Sequence, residues 1–138
     1  MNAAVLLLAA CSLFAAPTRE SSHAWLDVDT AAYAQNVREF KKIIGDRTGI
    51  CAIMKANAYG CGIEALMPAA IQEGIPAIGI ASNAEAAKAR KCGYKGRIMR
   101  VRTATAGEIR AGIPYGIEEL LGSLALAREA DEIGRAHV

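Results

Sequence analysis

The sequence predicts an α/β fold, the N-terminal part of a (β/α)8 TIM-type barrel carrying about four βα units. Three observations predict it. Short strand candidates begin near residues 50, 77, 97 and 118. Each is followed by a stretch with helical spacing or a helix cap. The 138 residues have room for about four such units, whereas a closed barrel takes about 250 residues, so roughly half of one is expected. Repeated βα units lay their strands parallel, with helical crossovers.

A net charge of +2 and 53% hydrophobic residues are ordinary globular composition. There is no basic run, no basic helix face and few aromatics, so a nucleic-acid partner is excluded. No metal site is expected, and nothing implies a partner protein of another kind.

Residues 1–22 read as a secretory signal peptide and not as fold. Ala3–Ala10 is apolar, small residues follow, and Pro17–Ser22 is polar. The run is too short to span a bilayer as a helix. Only Met1 and Asn2 precede it, so the usual positive segment is missing. Leu8-Ala9-Ala10-Cys11 resembles a bacterial lipobox, in which Cys11 would carry lipid. A plain cleavable signal and a buried N-terminal helix are the other readings. The expected location is the periplasm. Without Cys11, Cys51, Cys61 and Cys92 remain, an odd count that leaves at least one thiol unpaired in an oxidising compartment.

Ala24–Val28 is a strand candidate, and Trp25 within it reads as a core or interface aromatic. Thr30 is the expected N-cap of the next helix. Tyr33, Val37, Phe40 and Ile44 form one apolar face of that helix, and Gly45 ends it. Ile50–Met54 is then a buried strand that places Lys55 at its C-terminal end, where α/β folds keep their ligands. An amine beside apolar residues is a nucleophile toward carbonyls. Type and position alone equally fit a strand-end lysine reaching into solvent.

After the loop ending in Gly-Cys-Gly, residues Ile63–Glu73 look helical and Gly74 is the stop. Pro68 lies inside that span, so an irregular turn over Ile63–Leu66 and a short helix from about Met67 are expected. Ala77–Ala81 is the second strand. Ser82 and Glu85 have capping-box spacing for a helix running to about Cys92, with Gly93 as its stop. Ser82 and Asn83 are read as caps only. Arg97–Arg102 is the third strand, with Ile98, Arg100 and Arg102 on one face and Met99 and Val101 on the other. Thr105–Ala111 makes a short helix, Gly112–Gly116 a turn, Glu118–Gly122 a fourth strand, and Ser123 caps a last helix over Leu124–Asp131. The final seven residues, 132–138, can be encoded by DNA containing the start of a widely used sequencing adapter. They are therefore expected to be a non-native tail, and His137 is not nominated for any role.

The stretch from Lys55 reads KANAYG directly after an apolar strand. It resembles the signature of the alanine racemase family, whose cofactor is pyridoxal 5′-phosphate (PLP). The resemblance covers Ala24 to about Asp131. It implies that Lys55 holds PLP as a Schiff base and serves as a catalytic base, and that Tyr59 reaches the cofactor phosphate. Cys61 stands where the family usually has histidine, which leaves any supporting role of that histidine unfilled. RVRTAT, residues 100–105, resembles the matching stretch of the periplasmic broad-specificity branch. Arg102 is thus a candidate for shaping the pocket, with a structural salt bridge as the other reading. That branch has a cysteine at the place of Cys51, bridged to the next strand. The matching position here is Ala77, so the bridge is expected to be absent. The resemblance further implies an amino-acid substrate and a homodimer whose partner subunit supplies a tyrosine as the second base. It also implies a C-terminal β domain beyond this chain, without which the fragment would be inactive. The alternative is a non-catalytic PLP-binding or carrier protein on the same barrel.

Overall fold

The computed structural model describes residue 20 and residues 22–135. The signal-peptide and lipobox readings at residues 1–19, and the final residues 136–138, lie outside them. Chain order is α1 (Thr30–Ile44), β1 (Cys51–Ile53), the helical turn α2 (Lys55–Tyr59), α3 (Ile63–Gln72), β2 (Ala77–Ile80), α4 (Asn83–Lys91), β3 (Arg97–Arg100), α5 (Ala106–Gly112), a 3-10 turn (Ile113–Tyr115), β4 (Ile117–Glu118) and α6 (Leu124–Arg135). The four strands form one parallel sheet in the order β1-β2-β3-β4. This is the expected run of βα units.

The two faces of the sheet differ. Met54, Ile78, Ile80 and Ile98 point toward the helices and pack with Ile63, Met67, Ala70, Ala86 and Ala89 into the main core. The alanines of α4 let that helix approach the sheet closely, as the sequence indicates. On the opposite face Gly79 lies beneath Ile53 and Val101, whose methyl groups would meet any Cβ added there at 2.6 and 2.8 Å. A second, smaller cluster joins Ala104 and Ile109 to Ile133 of α6. An apolar cavity of about 410 Å³ is lined by Tyr33, Val37 and Phe40 of α1 and by Ile50, Met54 and Tyr59.

Several local expectations are corrected. Ala24–Val28 is not a strand; an isolated extended segment has no ladder to join, and none of the four strands pairs with it. The cap of α1 is Asp29, whose side chain accepts the Ala32 N–H at 2.8 Å, and Thr30 is already helical. Gly45 ends the helix as expected, at φ 66°. Of the predicted α1 face Val37 is buried, but Phe40 is 56% exposed. Helix α3 runs straight through Pro68 from Ile63. It starts early because its first amide has a partner: Asn57 Oδ1 accepts the Ile63 N–H at 3.2 Å. Strand β4 is only Ile117–Glu118, not Glu118–Gly122, and α6 extends past Asp131 to Arg135.

Candidate active site

Strand β1 delivers Lys55 to the C-terminal edge of the sheet. The Met54 N–H donates to the Gly79 carbonyl at 2.7 Å, so pairing with β2 continues to the residue before the lysine. Met54 itself is 2% exposed and anchors the strand end in the core. The chain then winds the wrong way. Ala56, Asn57, Ala58 and Tyr59 all have φ between 53° and 55°, and for the first three ψ lies between 42° and 51°. That is left-handed helix, made without a glycine. Each such residue costs about 1–2 kcal/mol.

The turn brings together the two residues singled out by the motif. Lys55 Nζ lies 6.0 Å from the centre of the Tyr59 ring. Among the described residues the amine has no carboxylate and no hydrogen-bond partner. The Tyr59 side chain is 65% exposed. An amine free of any ion pair is what attachment of an aldehyde needs, and an exposed phenol on the same turn can donate to a phosphate. The residues present therefore fit PLP.

Two side chains hold the turn in place. Glu85 of α4 accepts the Asn57 N–H on Oε1 at 3.1 Å, while its Oε2 accepts the Ala81 and Ser82 N–H groups at 2.8 and 3.1 Å. Ser82 Oγ accepts the Glu85 N–H in return, so the expected capping box is present. Partial burial alone would raise the Glu85 carboxyl. The backbone donors of Ala81, Asn57, Ser82 and Ala56 outweigh it and hold the group below the ordinary glutamate value. Asn57 is the other lock: besides capping α3 it lies 3.4 Å from Lys88 Nζ. Neither role was assigned from sequence. The Ser82–Glu85 spacing pointed to a helix cap, and nothing local links it to a backbone amide 28 residues earlier.

Arg100, at the end of β3, and Arg102, two residues beyond it, are both paired with acids. Arg102 Nε donates to the Ala81 carbonyl at 2.7 Å, and its guanidinium pairs with Glu108, the acid of the Thr105 capping box on α5. The salt bridge of one reading is present, and among the described residues Arg102 shares no hydrogen bond or ion pair with Lys55 or Tyr59. Arg100 is buried at 2% exposure and is held by Glu119, Asn83 and the Ala81 carbonyl. Asn83 is therefore more than a cap. Its Nδ2 also donates to the Glu108 carbonyl at 2.9 Å, tying α4 to α5.

Cys51, Cys61 and Cys92 are free thiols. Register places Ala77 directly opposite Cys51 on the neighbouring strand, so the bridge position is an alanine, as expected. No group of three or more His, Cys, Asp or Glu side chains able to hold a metal is found among the described residues.

The parallel βα sheet presents a strand-end lysine and a tyrosine on one tight turn, the arrangement of the N-terminal part of a βα barrel. Residues 28–138 match the family described as alanine racemase, N-terminal domain, and the chain belongs to that family. It is 50% identical over 118 residues to a broad specificity amino-acid racemase of Aeromonas hydrophila, covering 85% of this chain and 29% of the relative. A broad specificity amino-acid racemase of Vibrio parahaemolyticus is 44% identical over 126 residues, covering 86% and 31%. The solved alanine racemase of Corynebacterium glutamicum superimposes with a TM-score of 0.67 at 32% identity, over 75% of this chain and 30% of that one. The chain thus spans less than a third of the length of these relatives.

Proposed function

We propose that the whole protein of which this chain forms the N-terminal part is a PLP-dependent racemase that interconverts L- and D-amino acids. The observation that carries it is Lys55: at a strand's C-terminal end, without an ion-pair partner among the described residues, and beside Tyr59 on a fixed turn. Lys55 would hold PLP through its amine, and Tyr59 would hold the phosphate. When bound, PLP supplies an electron sink for the carbanion left when the α-proton departs. Once the substrate's own amine has displaced it from PLP, the freed Lys55 amine would take or return that proton on one face of the substrate. The base for the other face belongs, on this reading, to a partner subunit of a homodimer. The names of the relatives support a substrate range wider than alanine. Export to the periplasm rests on residues 1–22 alone, and cell fractionation tests it.

The test is direct. The protein is incubated with PLP and reduced with borohydride, and the modified peptide is located by mass spectrometry. Label at Lys55, lost in Lys55→Ala, supports the reading; label spread evenly over the other lysines overturns it. Exchange of D- and L-alanine, lysine and arginine by the whole protein separates a racemase from a non-catalytic PLP carrier.

A further inference from the structure

The left-handed turn poses a problem that its own residues do not solve. Four consecutive non-glycine residues sit at positive φ, and such strain persists only where surrounding structure over-determines it. The turn's internal bonds close it: Gly60 N–H donates to the Ala56 carbonyl at 3.1 Å, and Gly62 N–H to the Asn57 carbonyl at 2.9 Å. They do not fix where it points. Among the described residues, a single side chain from another element bonds the turn's backbone, and it is Glu85.

The two carboxylate oxygens divide the work. A capping box needs one acceptor, and Oε2 fills that need by taking the Ser82 N–H. Oε1 is left over, and it takes the Asn57 N–H. No cation forms an ion pair with the carboxylate among the described residues: Lys88, one turn along the same helix, lies against Asn57 and Glu64, and Arg102, paired with Glu108, attracts it only from a distance. Glu85 thus spends its charge on backbone donors of two segments, the turn and the start of α4.

We propose that Glu85 is a positioning residue for Lys55 and Tyr59, its carboxylate clamping the left-handed turn that carries them to the first turn of α4. The role toward the cofactor rests on the PLP reading above; the clamp itself does not. Glutamine at position 85 keeps the shape but offers one acceptor oxygen where two are in use. Either the turn or the cap loses its partner.

The experiment compares Glu85→Gln with Ser82→Ala in the full chain. Both damage the same capping box, but only the first removes an acceptor from the turn. Two quantities are read on folded protein: hydrogen exchange at the Asn57 amide, and PLP capture at Lys55 relative to the exposed Lys91 and Lys95. Glu85→Gln should speed Asn57 exchange and lower selective capture by about tenfold, the effect of losing one charged hydrogen bond. Ser82→Ala should lower stability and leave both unchanged. Equal effects in the two variants, or an unaltered Asn57 amide in Glu85→Gln, overturn the proposal. If the unmodified protein fails to capture PLP at Lys55, the racemase reading falls, and Asn57 exchange still decides the clamp.

Discussion

Arg100 and Glu119 form a two-pronged ion pair under the sheet's C-terminal edge. Nε and Nη2 of the arginine donate to the two carboxylate oxygens at 2.7 and 3.0 Å. The Arg100 side chain has no exposed surface and that of Glu119 is 12% exposed. Removing the acid strands a cation out of water, which costs more than the pair contributes. Glu119→Ala should therefore destabilise the fold by about 3–5 kcal/mol. Arg100→Met with Glu119→Leu, which removes both charges, should cost clearly less. Urea unfolding of the three proteins checks the order.

A second ion pair sets the acid limit. The Arg102 guanidinium, with help from the Thr105 N–H, holds the Glu108 carboxyl at about 2 against an ordinary 4.5. The folded value lies below the unfolded one. Its contribution is thus fully present above about pH 4.5 and is lost as pH falls toward 2. Glu108→Gln should lower stability by a pH-independent amount above about pH 4.5 and flatten the acid side of the curve below it. Circular dichroism against pH reads this out.

Gly96 tests the floor of the sheet. A Cβ there would sit 2.5 Å from Tyr94 Cζ and 2.8 Å from the Pro76 carbonyl oxygen. Tyr94 cannot yield, because it is 2% exposed and its hydroxyl donates to the Ile75 carbonyl at 3.0 Å. Gly96→Ala should cost about 3 kcal/mol through overpacking and the strained hydrogen bond. A thermal melt that leaves the midpoint in place would contradict this packing.

The left-handed turn predicts the opposite sign. Ala56 is exposed and sits at φ 53°. Glycine loses nothing there in contacts and sheds the Cβ penalty. Ala56→Gly should raise stability by about 1 kcal/mol. The check is the unfolding midpoint, with Asn57→Ala as the contrast. That change removes the α3 cap and should lower stability by about 1 kcal/mol.

Much of this was legible in the chain. The places of strands β1 to β3, the Gly45 stop and the Ser82–Glu85 box follow from local residue types, and the pairing of Lys55 with Tyr59 follows from the family resemblance of KANAYG; β1, expected to be buried, leaves Cys51 and Ile53 exposed. What stayed hidden depends on distant partners. Pro68 counts against a helix locally, but Asn57 reaches over to start α3 five residues before it. Four non-glycine residues at positive φ defy their own preferences, and Glu85 from the next βα unit meets their backbone. Strand β4 stops at Glu118, and Glu119 just beyond it is taken up by Arg100, 19 residues earlier in the chain. Ala24–Val28 looked extended by composition, yet a strand exists only with a neighbour.

The order of the sheet has a consequence for how the molecule is made. Spatial order and chain order coincide, so Cys51 meets Ala77, Ala77 meets Arg97, and Ile98 meets Ile117. Every pairing closes over one helical crossover, and ordering entropy is recovered soon after it is lost. Among the described residues, each strand after the first pairs with the one before it. Each one leaving the ribosome finds its predecessor already on hand, and the sheet can be laid down in the direction of translation.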